Sequence, residues 1–146
     1  MIYTYAYPRP ALTVDIIILK KVNNSFHVLL IERKNEPFKN QWALPGGFVD
    51  IDEEIDEAAY RELKEETSIS EIKLYQFYTF GKIGRDPRGR TISIVYHGLL
   101  ENEKQEIKAG DDAKNLRWFP IENLPEIAFD HLEIMSKFLL NKKSSL

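Results

Sequence analysis

Apolar and β-branched residues recur along the chain in short runs, and the runs predict most of the secondary structure. Residues 11–19 and 26–32 have the composition of strands, and Asn23-Asn24-Ser25 between them reads as a turn. Residues 33–47 are polar and interrupted by Pro37, Pro45 and the Gly46-Gly47 pair, which predicts a loop leading into a short strand. Further β-like runs lie at 72–80 and 91–100, joined by a loop over 81–90, with a shorter run at 116–119. Residues 54–67 differ: they hold no Gly or Pro and are rich in Glu, Ala and Leu, so they should be helical. Glu54, Asp56 and Glu57 would sit in the first turns, where acidic residues favour the helix dipole. A second helix is predicted from Asp130, with Glu133 completing a capping box, to about Leu140. Strands with one helix in the middle and one at the end predict an α/β sandwich.

The first helix carries an unusual polar pattern. On a wheel of about 100° per residue, Ile55, Ala59 and Leu63 form an apolar stripe with Ala58 beside it. Glu62 and Glu66 fall on that same side, Glu65 flanks them, and Glu57 and Lys64 point to solvent. Two glutamates one turn apart repel each other, and burial penalises their charge. A hard divalent cation, Mg²⁺ or Mn²⁺, would relieve both problems with oxygen ligands alone. Arg61, four residues before Glu65, can hold that carboxylate in place. A solvated acidic face with ordinary ion pairs is the alternative from composition alone.

Composition narrows the field. At 146 residues the chain suits one domain over residues 1–146 with a real core. The net charge of -3 argues against a generally basic nucleic-acid-binding surface. With no cysteine, disulfides and thiolate metal sites are excluded. The N-terminus lacks the basic start and apolar run of a signal peptide, and no apolar run approaches the roughly 20 residues of a membrane span. A cytoplasmic protein without membrane or nucleic-acid partners is therefore expected.

The helix belongs to a longer pattern. Gly47, Glu53 and Arg61-Glu62-Leu63-Lys64-Glu65-Glu66-Thr67-Ser68-Ile69 resemble the Nudix box, G-x5-E-x7-R-E-U-x-E-E-x-G-U with U aliphatic. Every position matches except the last glycine, here Ser68, which falls at the helix exit and removes no ligand. The resemblance implies a Nudix fold: a mixed β-sheet sandwiched between helices, with the box forming a loop–helix–loop. It also implies that Glu62, Glu65 and Glu66 bind the metal, joined by the backbone carbonyl of Gly46. Arg61 would orient them and Glu53 would support the box. The implied reaction is hydrolysis of a phosphoanhydride bond by water activated at a divalent cation. Asp111 and Asp112 are candidates for the general base, although a solvated turn explains them equally well.

The substrate is addressed by a second segment. Arg85, Arg88 and Arg90 place three guanidiniums in six residues, more than a hairpin turn requires, and such forks suit phosphate oxygens. This segment resembles the ADP-ribose pyrophosphatase branch of the family, as do residues 42–49 and 128–131. The resemblance implies a nucleotide-sugar substrate, ADP-ribose or a close relative, cleaved to AMP and ribose 5-phosphate. Phe38 and Trp42 are candidates for stacking on the base, as are Tyr3, Tyr5 and Tyr7, though each also suits a core or an interface. His27, His97 and His131 are isolated in sequence, and structural roles are expected for them. A nucleoside-triphosphate sanitiser and a non-catalytic ADP-ribose-sensing domain stay open as alternatives. The sensing reading expects a winged-helix extension and an eroded box, whereas all box carboxylates are present here. Many relatives are homodimers, and the alternation over residues 3–7 suits a strand at such an interface.

Overall fold

The computed structural model describes residues 2–101, 104–110 and 113–142. Among these described residues, seven strands and two helices follow in the order β1 (Ala11–Val22), β2 (Ser25–Arg33), β3 (Trp42–Ala43), β4 (Gly46–Phe48), α1 (Ile55–Thr67), β5 (Tyr75–Phe80), β6 (Thr91–Leu99), β7 (Ala113–Pro120) and α2 (His131–Lys142). The strands form one mixed sheet of order β3-β2-β1-β6-β5, with β4 paired to β1 and β7 to β2. β1 and β6 run parallel over nine residue pairs, from Ala11 with Thr91 to Leu19 with Leu99, and the other pairings are antiparallel.

Alternation along β1 and β2 feeds two cores. Val14, Ile16, Ile18 and Leu29 face Ala58, Ala59 and Leu63 of α1. Ile17, Leu19, Val28 and Leu30 face the opposite side, against Ile134, Met135 and Phe138 of α2. Period-2 alternation thus sends successive residues of one strand to different helices. The expected sandwich of a mixed sheet between helices is what forms. No helix among the described residues is long and apolar enough to cross a membrane.

Four local expectations are corrected. β5 begins at Tyr75 rather than residue 72, because the Leu74 amide donates to the Tyr60 hydroxyl and not to a neighbouring strand. β7 is twice the predicted length, since β2 pairs with it from His27 to Arg33. The capping box at α2 is absent: the Asp130 carboxylate is held by Arg85 instead of capping the helix. Residues 2–10 form no strand, and Pro8 and Pro10 withhold donors that a ladder would need. Ser68 keeps the exit geometry of the missing glycine. It adopts the left-handed conformation, φ 67° and ψ 6°, with its amide donating to the Lys64 carbonyl at 2.9 Å.

Candidate active site

A cleft of about 380 Å³ opens where β1, β2, β4, α1, the β5–β6 loop and the start of α2 meet. Glu62 and Glu66 line it from α1. Glu66 is 8% exposed, a burial that its polar type would not suggest. Its Oε2 accepts the Gly46 N–H at 3.0 Å, which joins the helix to β4. A Cβ on Gly47 would stand 2.4 Å from the Glu62 carboxyl carbon, so only glycine lets that carboxylate lie against the strand.

Arg61 organises the carboxylates from outside the cleft. Its Nη1 donates to Glu62 Oε1 at 2.7 Å and to Glu65 Oε2 at 3.1 Å, and its Nη2 donates to Glu53 Oε1 and to the Phe48 carbonyl, both at 2.9 Å. The hydrogen bonds to Glu53 and Glu62 hold the guanidinium above the usual arginine value, and Arg61 in turn holds Glu53 below the usual carboxylate value. Glu62 behaves differently. Burial pushes its carboxyl up, with the neighbouring charges of Glu65 and Glu53 adding to the effect, although Arg61 opposes it.

That environment fits a cation. Two carboxylates share a cleft in which burial disfavours the charge of Glu62, the donors are all oxygen, and glycines clear the space beside them. The set is not closed, however. Among the described residues no three acidic or histidine side chains already surround one point. Glu65 is more than half exposed and turned toward Arg61, outside the cleft lining.

The three loop arginines part ways. Arg88 lines the cleft, 42% of its side chain exposed, with its guanidinium 5.0 Å from the Phe48 ring centroid and paired to Asp86 at 2.8 Å. Arg85 also lines it, but its side chain is only 4% exposed and both its Nε and Nη2 donate to Asp130. Arg90 lies outside, donating to the Gly81 carbonyl at 2.6 Å across the base of the hairpin. Phe38 borders a second hollow of about 340 Å³ that shares Arg85 and Phe129 with the cleft, and its ring packs on Phe129 at 4.6 Å. Trp42 packs edge-on against Phe119 in the α2-side core. Asp111 and Asp112 lie outside the described residues. Gly110, just before them, donates to the Glu66 carbonyl at 3.1 Å, and a Cβ there would come within 1.8 Å of the Glu65 carbonyl oxygen.

Sequence reasoning passed over Asp15, Arg33 and Phe48 and expected only a structural role for His131; all four line the cleft. Asp15 carried a signal: it is the single carboxylate inside the apolar run of β1.

Comparison with known proteins bears on this site. The model of the NUDIX domain family matches residues 9–138. A protein of Methanocaldococcus jannaschii named ADP-ribose pyrophosphatase is 46% identical over 133 residues, covering 91% of this chain and 75% of that protein. The ADPR-responsive transcriptional repressor NtrR of Acinetobacter baylyi is 35% identical over 144 residues, and this chain spans 57% of its length. The solved NUDIX domain of Shewanella oneidensis NrtR in complex with ADP ribose superposes with a TM-score of 0.83 at 30% identity, covering 93% of this chain and 90% of that one.

Proposed function

Because this chain belongs to the NUDIX domain family, we propose that it is a divalent-metal-dependent hydrolase that cleaves the diphosphate bond of ADP-ribose to AMP and ribose 5-phosphate. The observation that carries the proposal is the meeting of Glu62 and Glu66 with Arg33 and Arg88 in one cleft. Carboxylates for a cation and guanidiniums for phosphate oxygens are the two halves of a diphosphate site. The relative named ADP-ribose pyrophosphatase and the ADP ribose complex support the choice of substrate.

Glu62 and Glu66 would hold Mg²⁺ or Mn²⁺ together with the Gly46 carbonyl, and Glu65 would join them on release from Arg61. A bound divalent cation would offset the charge of the diphosphate oxygens and favour ionisation of water. Arg88 binds one phosphate from the cleft mouth and Arg61 keeps Glu62 oriented. Water attacks phosphorus, the bridging P–O bond breaks, and the proton passes to a base. Asp111 or Asp112 is the candidate for that base, supported by the close seating of Gly110 on the Glu65–Glu66 backbone. We further propose a cytoplasmic protein acting on a small molecule, free of nucleic acid and membrane, as one domain and as a homodimer.

The similarity to NtrR favours a second reading, in which the domain binds ADP-ribose without cleaving it. Incubation with ADP-ribose and with nucleoside triphosphates, each with Mg²⁺ or Mn²⁺, separates the readings by product analysis. AMP and ribose 5-phosphate from ADP-ribose are expected. Binding without turnover would establish the sensor, and preferential release of pyrophosphate from triphosphates would make it a sanitising enzyme.

A further inference from the structure

Asp15 and His131 line the cleft, yet the chemistry above uses neither. Asp15 sits in β1 between the wholly buried Val14 and Ile16, where a carboxylate is costly unless hydrogen-bonded. Its partners are all present: Oδ1 lies 3.3 Å from His131 Nε2, Oδ2 accepts the Ser93 hydroxyl, and Arg85 Nη2 is 3.8 Å away. The other ring nitrogen of His131, Nδ1, accepts the Leu44 N–H at 3.0 Å. An accepting imidazole nitrogen carries no proton, so the ring proton is on Nε2 and faces Asp15.

Both nitrogens are therefore committed, and neither is free to take a proton from water. The ring is instead an anchor for Leu44. The next two residues are tied down as well: the Pro45 carbonyl accepts the Ile16 N–H at 2.8 Å, and the Gly46 N–H reaches Glu66 at 3.0 Å. Three consecutive residues are thus fastened to α2, β1 and α1 in turn. There is little slack, because a Cβ on Gly46 would stand 2.1 Å from the Val14 carbonyl oxygen and 2.7 Å from Asp15 Oδ1. A displaced Leu44 amide would be passed on to Gly46.

We propose that the Asp15–His131 pair is a positioning device: it fixes the Leu44 amide, and through it the place of Gly46 beside Glu66 at the cation site. The inference rests on the reading of the cleft as a divalent-metal site. Both are positioning residues, since His131 acts through Leu44 and Asp15 acts through His131.

The test begins on metal-free, ¹⁵N-labelled protein. Long-range ¹H–¹⁵N correlation of His131 should show a protonated Nε2 and a bare Nδ1. In His131→Leu the Leu44 amide should exchange about tenfold faster, as a lost local hydrogen bond allows. Mn²⁺ affinity, read from the paramagnetic resonance of free Mn²⁺, should fall by about tenfold or more, the usual effect of removing support behind metal ligands. With ADP-ribose, kcat should fall while KM stays near wild type. His131→Asn keeps an acceptor near the Nδ1 position but loses the contact to Asp15, so it should restore Leu44 protection and Mn²⁺ affinity in part. His131→Gln, whose polar end reaches toward Asp15, should not. If His131→Leu fails to fold, the comparison of Asn with Gln decides alone. Equal losses in those two variants, or wild-type Mn²⁺ affinity in His131→Leu, would overturn the inference. Wild-type protein that takes up no Mn²⁺ would overturn the reading of the cleft instead.

Discussion

Arg85 reaches Asp130 across 45 residues of sequence and donates to both of its carboxylate oxygens, from Nε at 2.9 Å and from Nη2 at 2.7 Å. This buried pair pins the β5–β6 loop to the start of α2, and so closes one side of the cleft. Removing one member leaves the other charged and buried, which costs about 3–5 kcal/mol. Arg85→Ala should therefore lower unfolding free energy by that amount in urea titrations. The double variant Arg85→Met/Asp130→Leu should lose far less than the two single changes together. Additive losses would mean that the pair is not a unit.

Arg88 and Arg90 offer a sharper contrast, because they stand two residues apart with different surroundings. Arg88 faces the cleft while Arg90 is spent on the Gly81 carbonyl. Arg88→Ala should raise KM for ADP-ribose about tenfold, equivalent to about 1.4 kcal/mol of lost binding. Arg90→Ala should leave KM unchanged and affect only the stability of the hairpin. Steady-state kinetics on the two variants distinguish these outcomes, and equal KM values would remove Arg88 from the site.

How much of this was legible in sequence depends on the range of each interaction. The apolar runs of β1, β2 and α1 are local signals, and spacing alone brought Arg61 to Glu65 and buried Glu66. Helix spacing could not reveal that Arg61 also grips Glu53 and the Phe48 carbonyl. Nor could it tell which loop arginine faces the cleft half-exposed, because Arg85's partner is distant in sequence and only folding brings Asp130 to it. His131 looked isolated for the same reason: its partners lie far upstream, Asp15 in β1 and Leu44 between β3 and β4. Short-range chemistry was readable, and the long-range pairs that assign roles within the cleft were not.

The buried carboxylate of Glu66 yields a direct test of metal binding. Glu66→Gln preserves shape while removing charge, so kcat should fall about 10²-fold or more, or ~2.7 kcal/mol of barrier. Mn²⁺ affinity should fall with it in a metal titration. Wild-type values of both in the variant would sink the assignment of Glu66 as a ligand.

Ser68 pays a conformational penalty that glycine would not. Its left-handed φ of 67° strains an L side chain, and the compensating hydroxyl contact to the Lys108 carbonyl is long, at 3.3 Å. Ser68→Gly should raise unfolding free energy by about 1 kcal/mol, the scale of the left-handed penalty. Thermal denaturation checks this, and a lower melting temperature would show that the hydroxyl contact outweighs backbone strain.

Acid stability should report on Asp15. Burial alone would raise its carboxyl above the usual 3.8, but the Nε2–H of His131, the Ser93 hydroxyl and the Arg85 charge together hold it lower. The folded state therefore binds this proton less readily than the unfolded chain does. Stability from the ionised group is fully present above the unfolded value and is lost as pH falls through the depressed folded value. Between roughly pH 5 and pH 2 the urea midpoint of wild type should thus fall more steeply than that of Asp15→Asn. The variant should be the less stable at neutral pH, and the gap should narrow on acidification. The measurement is a set of urea titrations across that range on both proteins. Parallel acid limbs would mean that Asp15 has the same proton affinity folded and unfolded, and that its partners offset its burial without favouring its charge.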